Sequence, residues 1–160
     1  MEATRNAAGS AVKRVASPRL PGLSLRGEED EAAMPIDATL PYDESNIFAR
    51  ILRGEIPCRK AYEDDFAFAF HDINPQAPVH ILVIPKGAYV SWDDFSARAS
   101  DVEIGGFVRA LGKVARDAGL VAPGYRLLAN VGAHGGQEVP HLHVHLFGGA
   151  PLGPMLARPA

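Results

Sequence analysis

The chain has 160 residues, 47% of them apolar and 22% charged, and its 16 basic and 19 acidic side chains give a net charge of −3. That length is one domain's worth, the composition excludes wholesale disorder, and the charge balance argues against a protein held to nucleic acid mainly by phosphate neutralisation. A lone cysteine, Cys58, excludes an internal disulfide or a Cys-rich zinc module and fits a reducing compartment, and no apolar stretch approaches the ~20 residues that span a bilayer.

Residues 1–35 read as an N-terminal extension and residues 36–160 as the folded domain. Residues 3–27 carry five basic side chains (Arg5, Lys13, Arg14, Arg19 and Arg26) and no acidic one, and the acidic run Glu28–Glu31 follows. Residues 1–33 show no sustained periodicity, and Pro18 and Pro21 interrupt them. The open readings are a disordered tail, a start placed too early with Met34 as the first residue, or an Arg-rich, acid-poor transit peptide; the absence of an apolar h-region speaks against a secretory signal. The expected compartment is the cytoplasm, or an organelle if the segment directs import.

Ser45 is a candidate N-cap for a short helix over residues 46–53, with Ile47, Phe48 and Ile51 on one stripe and Gly54 as its stop. A strand near Ala61–Glu63 leads through Asp64-Asp65 to Phe66–Phe70, which alternates large and small residues with strand period. After the proline-bounded connection Ile73–Pro78, the nearly continuous apolar run His80–Pro85 suits a central strand covered on both faces. A long helix is predicted over Asp101–Gly119 with Val102, Phe107, Leu111 and Val114 as its apolar side, although Gly105-Gly106 weakens its first turns. Tyr125–Asn130 reads as a strand, Val131–Gln137 as a glycine-rich loop, and Val139–Phe147 as the last strand. The fold class is α+β, with a mainly antiparallel sheet of about five strands, one short helix and one long one.

Three of the six histidines stand at 141, 143 and 145. On a strand such positions project to one face, which turns Leu142 and Val144 to the other. Three imidazoles make a poor core, because each carries a donor and an acceptor that need partners. They suit either zinc ligation or nucleophilic and acid–base chemistry. The preceding Gly132-Ala133-His134-Gly135-Gly136-Gln137 favours the second, since glycines let backbone amides turn inward as an anion nest and Asn130 and Gln137 add neutral donors.

The stretch Gly136–Gly149, with His141-Leu142-His143-Val144-His145 at its centre, resembles the signature of the histidine triad (HIT) family. Ile47-Phe48, Gly54-Glu55-Ile56-Pro57 and Phe70–His80 resemble the Hint branch of that family. The likeness runs from about Ser45 to Gly149. It implies a HIT-like fold that dimerises into one continuous sheet, and a metal-independent hydrolase without cofactor acting on purine nucleoside 5′-phosphoramidates. By motif position, His143 is the expected nucleophile that forms a nucleotidyl-histidine intermediate. His145 is expected at the phosphate, His141 as a support, and His80 as an additional active-site histidine. Asp72 with Ile73 is expected at the ribose, Ile47, Phe48, Ile51 and Phe70 around the base, and Asn130, Gly136 and Gln137 at the phosphate.

Glu138 departs from the serine common in that branch, and would place a negative charge where a negative substrate sits. The ending Gly149–Leu156 lacks the tryptophan of animal members, so the amine side of the substrate stays open. Other uses of the same residues are a purine-nucleotide-binding module with incidental hydrolysis, dinucleoside polyphosphate hydrolysis, and zinc-dependent hydrolysis. Plainer roles also exist: Asp72 as a turn cap, His80 as a satisfied core histidine, the Ile47 stripe as helix packing, His71 and His134 as surface residues, and Trp92-Asp93-Asp94 as a surface or interface feature. Cys58 has no assigned role.

Overall fold

The computed structural model describes residues 34–157, so the expectations for residues 1–33 lie outside the described residues. The elements in chain order are α1 (Ile47–Leu52), β1 (Lys60–Glu63), β2 (Ala67–His71), β3 (Val79–Pro85), α2 (Trp92–Arg98), α3 (Asp101–Asp117), β4 (Tyr125–Leu128), α4 (Gly132–Gly135) and β5 (Val144–Gly148). The five strands form one antiparallel sheet in the order β1-β2-β3-β5-β4. Among the described residues no helix is long and apolar enough to cross a membrane.

Strand alternation decides which residues meet which layer. Ala67 and Ala69 of β2, Ile81 and Val83 of β3, and Val144 and Leu146 of β5 face α2 and α3, joining Phe95, Phe107, Ala110, Leu111 and Val114 in the main core. The small alanines allow the long helix to lie close to the sheet. Gly106 permits the same at the start of α3, since a Cβ there would sit 2.3 Å from the Phe66 ring. The glycine that weakens the helix by propensity is thus required by packing. On the opposite face Phe70, Leu82 and Ile84 meet Phe48 and Ile51 of α1. Covered on both sides, β3 is buried from His80 to Pro85.

Several local expectations differ from the structure. Asn46, not Ser45, caps α1: its side-chain oxygen accepts from the Phe48 and Ala49 amides, while Ser45 is tied to Asp43. Val102 is 68% exposed and takes no part in the apolar side of α3. Trp92-Asp93-Asp94 opens a separate helix, α2, held by a capping box in which Ser91 and Asp94 each accept from the other's backbone amide. The glycine loop contains the single turn α4, so four helices are present among the described residues instead of two. Regular pairing of the last strand begins only at Val144, since the Leu142 amide donates to the Tyr89 carbonyl and the His143 ring to the His141 carbonyl.

Candidate active site

The sheet register builds the site. In β3 and β5, Leu82 pairs with His145 and His80 with Phe147, so His80, His145 and Phe147 share the face opposite α3. In β4, Arg126 pairs with Phe147 and Leu128 with His145, extending that face toward the sheet edge. Leu142 and Val144 point into the main core, so the preceding segment keeps the alternation and turns His141 and His143 away from it. The rings then form a contiguous row. His143 and His145 have centroids 5.1 Å apart, and the Phe48 ring meets His143 edge-on at 5.2 Å and His141 at 6.2 Å.

A cavity of about 480 Å³ opens onto this face, lined by His143, His145 and Phe147 on one side, Asp72, Asn74 and Gln76 on another, and Asn130, Gly136 and Glu138 on the glycine-loop side. Arg126, Leu128 and Leu152 complete the wall. The Arg126 guanidinium also donates to the carbonyls of Gly153 and Pro154, fastening the C-terminal segment beside the opening.

Hydrogen-bond partners assign the ring protons. His143 Nδ1 lies 2.7 Å from the His141 carbonyl, which can only accept, so Nδ1 carries the proton and Nε2 keeps a lone pair. His141 Nε2 likewise donates to the Pro85 carbonyl at 3.0 Å, leaving Nδ1 to accept from the Tyr42 hydroxyl. The Gln76 amide donates to His80 Nδ1 at 3.2 Å, so His80 Nε2–H donates to His145 Nδ1 at 2.9 Å, and the proton of His145 is on Nε2. The row thus presents one free imidazole lone pair, on His143, next to one imidazole N–H donor, on His145.

Burial keeps these rings neutral. It lowers the pKa of His141 to about 4, against the opposing pull of the Pro85 carbonyl, and that of His145 to about 4, helped by the neighbouring His143 and His80. His143 is also lowered, chiefly by burial, while the His141 carbonyl and then the Glu138 and Asp72 carboxylates act the other way. His80 is lowered by burial, with Asp72 opposing.

The residues singled out from the sequence fall into distinct places. His143, His145, Asp72, Asn130, Gly136 and Glu138 meet at the cavity. His80 and His141 are buried behind it with both ring nitrogens engaged, so each acts through the ring or carbonyl in front. Asp72 combines two roles. One oxygen accepts from the Asn74 amide in a tight turn, and the other lies 3.5 Å from His80 Nε2.

Gln137 differs from expectation. It is 4% exposed, its Nε2 donates to the Val90 and Val139 carbonyls, and its Oε1 accepts from the Gly132 amide, so it pins the loop and offers no free donor to a phosphate. The expected nest is also closed in part, since the Gly136 and Gln137 amides donate to the Ala133 and Gly132 carbonyls of α4. Asn130 Nδ2 reaches the Gly136 carbonyl only at 3.4 Å, a long bond that a better acceptor can replace.

Of the residues expected around the base, Phe48, Ile51 and Phe70 pack into the second core cluster and Ile47 is exposed, as is Ile73, expected beside the ribose. Three histidines of the run do not converge as zinc ligands, because both His141 ring nitrogens are taken. Among the described residues, the side chains that gather potential metal-ligating atoms, all within 4.8 Å, are Asp72, His80 and His145. There the facing nitrogens already share a proton, which a metal ion has to displace. Sequence reasoning missed Tyr42, Gln76 and Arg126, which reach the site through contacts spanning long stretches of chain or through a backbone amide that no side-chain motif reveals.

Comparison with known proteins agrees with this geometry. The HIT domain family model matches residues 53–152. An uncharacterized HIT-like protein of Azospirillum brasilense is 66% identical over 117 residues, 73% of this chain and 96% of that protein. The purine nucleoside phosphoramidase of Escherichia coli is 48% identical over 115 residues, 72% of this chain and 96% of that protein. Among solved structures, a HIT family hydrolase from Clostridium thermocellum superposes with a TM-score of 0.65 at 40% identity, covering 72% of this chain and 99% of that one. With a family match over more than half its length and relatives at these identities, the chain belongs to the HIT domain family and is a hydrolase of that family.

Proposed function

We propose that the protein cleaves the P–N bond of purine nucleoside 5′-phosphoramidates, releasing a nucleoside monophosphate and an amine through a nucleotidyl-histidine intermediate. The observation that carries this reading is the His143 tautomer: the carbonyl 2.7 Å from Nδ1 leaves Nε2 as a neutral nucleophile on the cavity wall. Burial holds its pKa below the ordinary value, so the ring is unprotonated near neutral pH.

In the first step Nε2 attacks the α-phosphorus, the P–N bond breaks, and the departing nitrogen takes a proton from solvent in the open cavity, which the water of the second step returns. Charge developing on the phosphoryl oxygens is met by the His145 Nε2–H, a donor already aimed before reaction because His80 occupies its other nitrogen. Water then cleaves the P–Nε2 bond and frees the ring. Gln76 and His80 position His145, while His141 supplies the carbonyl that orients His143. In this reading Asp72, at the cavity beside the exposed Ile73, accepts from a ribose hydroxyl. The relative from Escherichia coli named as a purine nucleoside phosphoramidase supports the substrate class.

The working unit in this reading is a homodimer in the cytoplasm. Edge strand β4 pairs with β5 alone among the described residues. It stands beside the half-exposed apolar side chains Trp92, Leu127 and Val131, which share one shallow surface that a second copy would cover while joining the two sheets.

His143→Ala, assayed with adenosine 5′-phosphoramidate, tests the proposal. Activity is expected to fall to the background rate, whereas retention of more than a few percent removes His143 from the nucleophile role.

A further inference from the structure

We propose that Tyr42 is a positioning residue for the nucleophile, acting through His141. The inference rests on His143 being the attacking group and extends the site to a side chain upstream of the family match. The Tyr42 hydroxyl donates to His141 Nδ1, and the two rings meet edge-on at 5.5 Å. On its other edge the His141 ring donates to the Pro85 carbonyl. His141 is fully buried and neutral, so both ring nitrogens need protein partners. Held at two opposite points, the residue has little freedom to turn, and its carbonyl is the group that accepts the His143 Nδ1 proton.

The segment bearing Tyr42 therefore sets the direction of the His143 lone pair by way of one ring and one carbonyl. Without the hydroxyl, Nδ1 of His141 is a buried acceptor lacking a donor. The ring then gains by turning toward another donor, which strains its bond to the Pro85 carbonyl and loosens the carbonyl in front of it. A nucleophile misplaced by a fraction of an ångström loses rate without losing substrate affinity. Tyr42 touches no reacting atom, so its effect belongs to kcat.

The test is Tyr42→Phe in the full-length protein, with two readouts. Steady-state kinetics with adenosine 5′-phosphoramidate should show kcat lowered by roughly ten- to a hundredfold and KM within about twofold of the parent. Long-range ¹H–¹⁵N spectra of the free protein should show His141 as Nε2–H and His143 as Nδ1–H in the parent, and the ring ¹⁵N resonances of both shifted or broadened in the variant. Either readout remaining at the parental value overturns the proposal. The spectra are read without substrate, so they judge the relay separately from the assignment of His143 as nucleophile.

Should Tyr42→Phe fail to fold, site-specific replacement of Tyr42 by 3,5-difluorotyrosine preserves its shape and makes its hydroxyl more acidic. Burial and the Asn46 side chain act most on that hydroxyl, followed by Glu44, Arg53 and Asp43, and Asp94 and His143 act on the His141 ring; all are unchanged. The alkaline limb of kcat should then move to lower pH, because an ionised phenol has no proton to donate. An unmoved limb overturns the proposal.

Discussion

Replacing Gln137 by leucine keeps the bulk of a buried side chain and removes three hydrogen bonds: to the Val90 carbonyl at 2.7 Å, to the Val139 carbonyl at 2.9 Å, and from the Gly132 amide at 2.9 Å. Only the bond to Val90 is fully buried. A buried acceptor stripped of its donor costs about 1–3 kcal/mol, and each of the two partly exposed bonds about 0.5–1.5 kcal/mol, so the expected loss is about 4 kcal/mol. In a domain of this size that lowers the Tm by roughly 10 °C. The glycine loop is released at the same time, and with it the cavity wall formed by Gly136 and Glu138. Thermal melting and steady-state kinetics on the same preparation read both effects, with the Tm falling and kcat/KM declining as the wall loosens. If the variant melts at the parental temperature and only KM rises, Gln137 is a phosphate ligand and the strut assignment is refuted.

Glu138 lines the cavity and is exposed, so its carboxylate repels a phosphoryl anion across water-rich space, an effect of about 1 kcal/mol at contact range that salt screens. Glu138→Ser is therefore expected to lower KM by about fivefold at low ionic strength and less at high, and equal KM values at both would show that the carboxylate points away. Stability should depend on pH through His141. Its folded pKa is about 4 while the unfolded ring titrates near 6.5, so between these values the unfolded chain binds a proton that the folded protein refuses. This contribution is complete above pH ~6.5 and is lost as pH falls toward about 4, a change of up to about 3 kcal/mol. Denaturant midpoints from pH 7 to 4 check it, and a flat profile contradicts it.

Much of the site was legible because period-two alternation is a local property. The run His141–His145 put its imidazoles on one side and Leu142 and Val144 in the core. The same logic exposed the large–small alternation of Phe66–Phe70, whose alanines face the long helix. Contacts made across the sequence were not legible. Tyr42 bonds a ring 99 positions away, and Gln137 a carbonyl 47 positions away, and no spacing rule announces either. Helix α2 was legible in principle, since Ser91 followed three residues later by Asp94 is the pattern of a capping box, although seven residues with one buried side chain, Phe95, carry little apolar periodicity. Phe48, Ile51 and Phe70 show the reverse difficulty. An apolar stripe reads alike whether it lines a base pocket or fills a core, and the packing of these three side chains into one cluster is compatible with both.

The most direct test of the account is to trap the covalent intermediate. Full-length protein mixed with a slow-leaving adenosine 5′-phosphoramidate, quenched at a pH that preserves P–N bonds and digested, should carry one adenylyl group on the peptide containing His143. Fragmentation should place that group on His143 itself. An adenylyl group on His145, His141 or His80, or turnover that leaves His143 unmodified at every time point, contradicts the claim that the free lone pair of His143 does the chemistry.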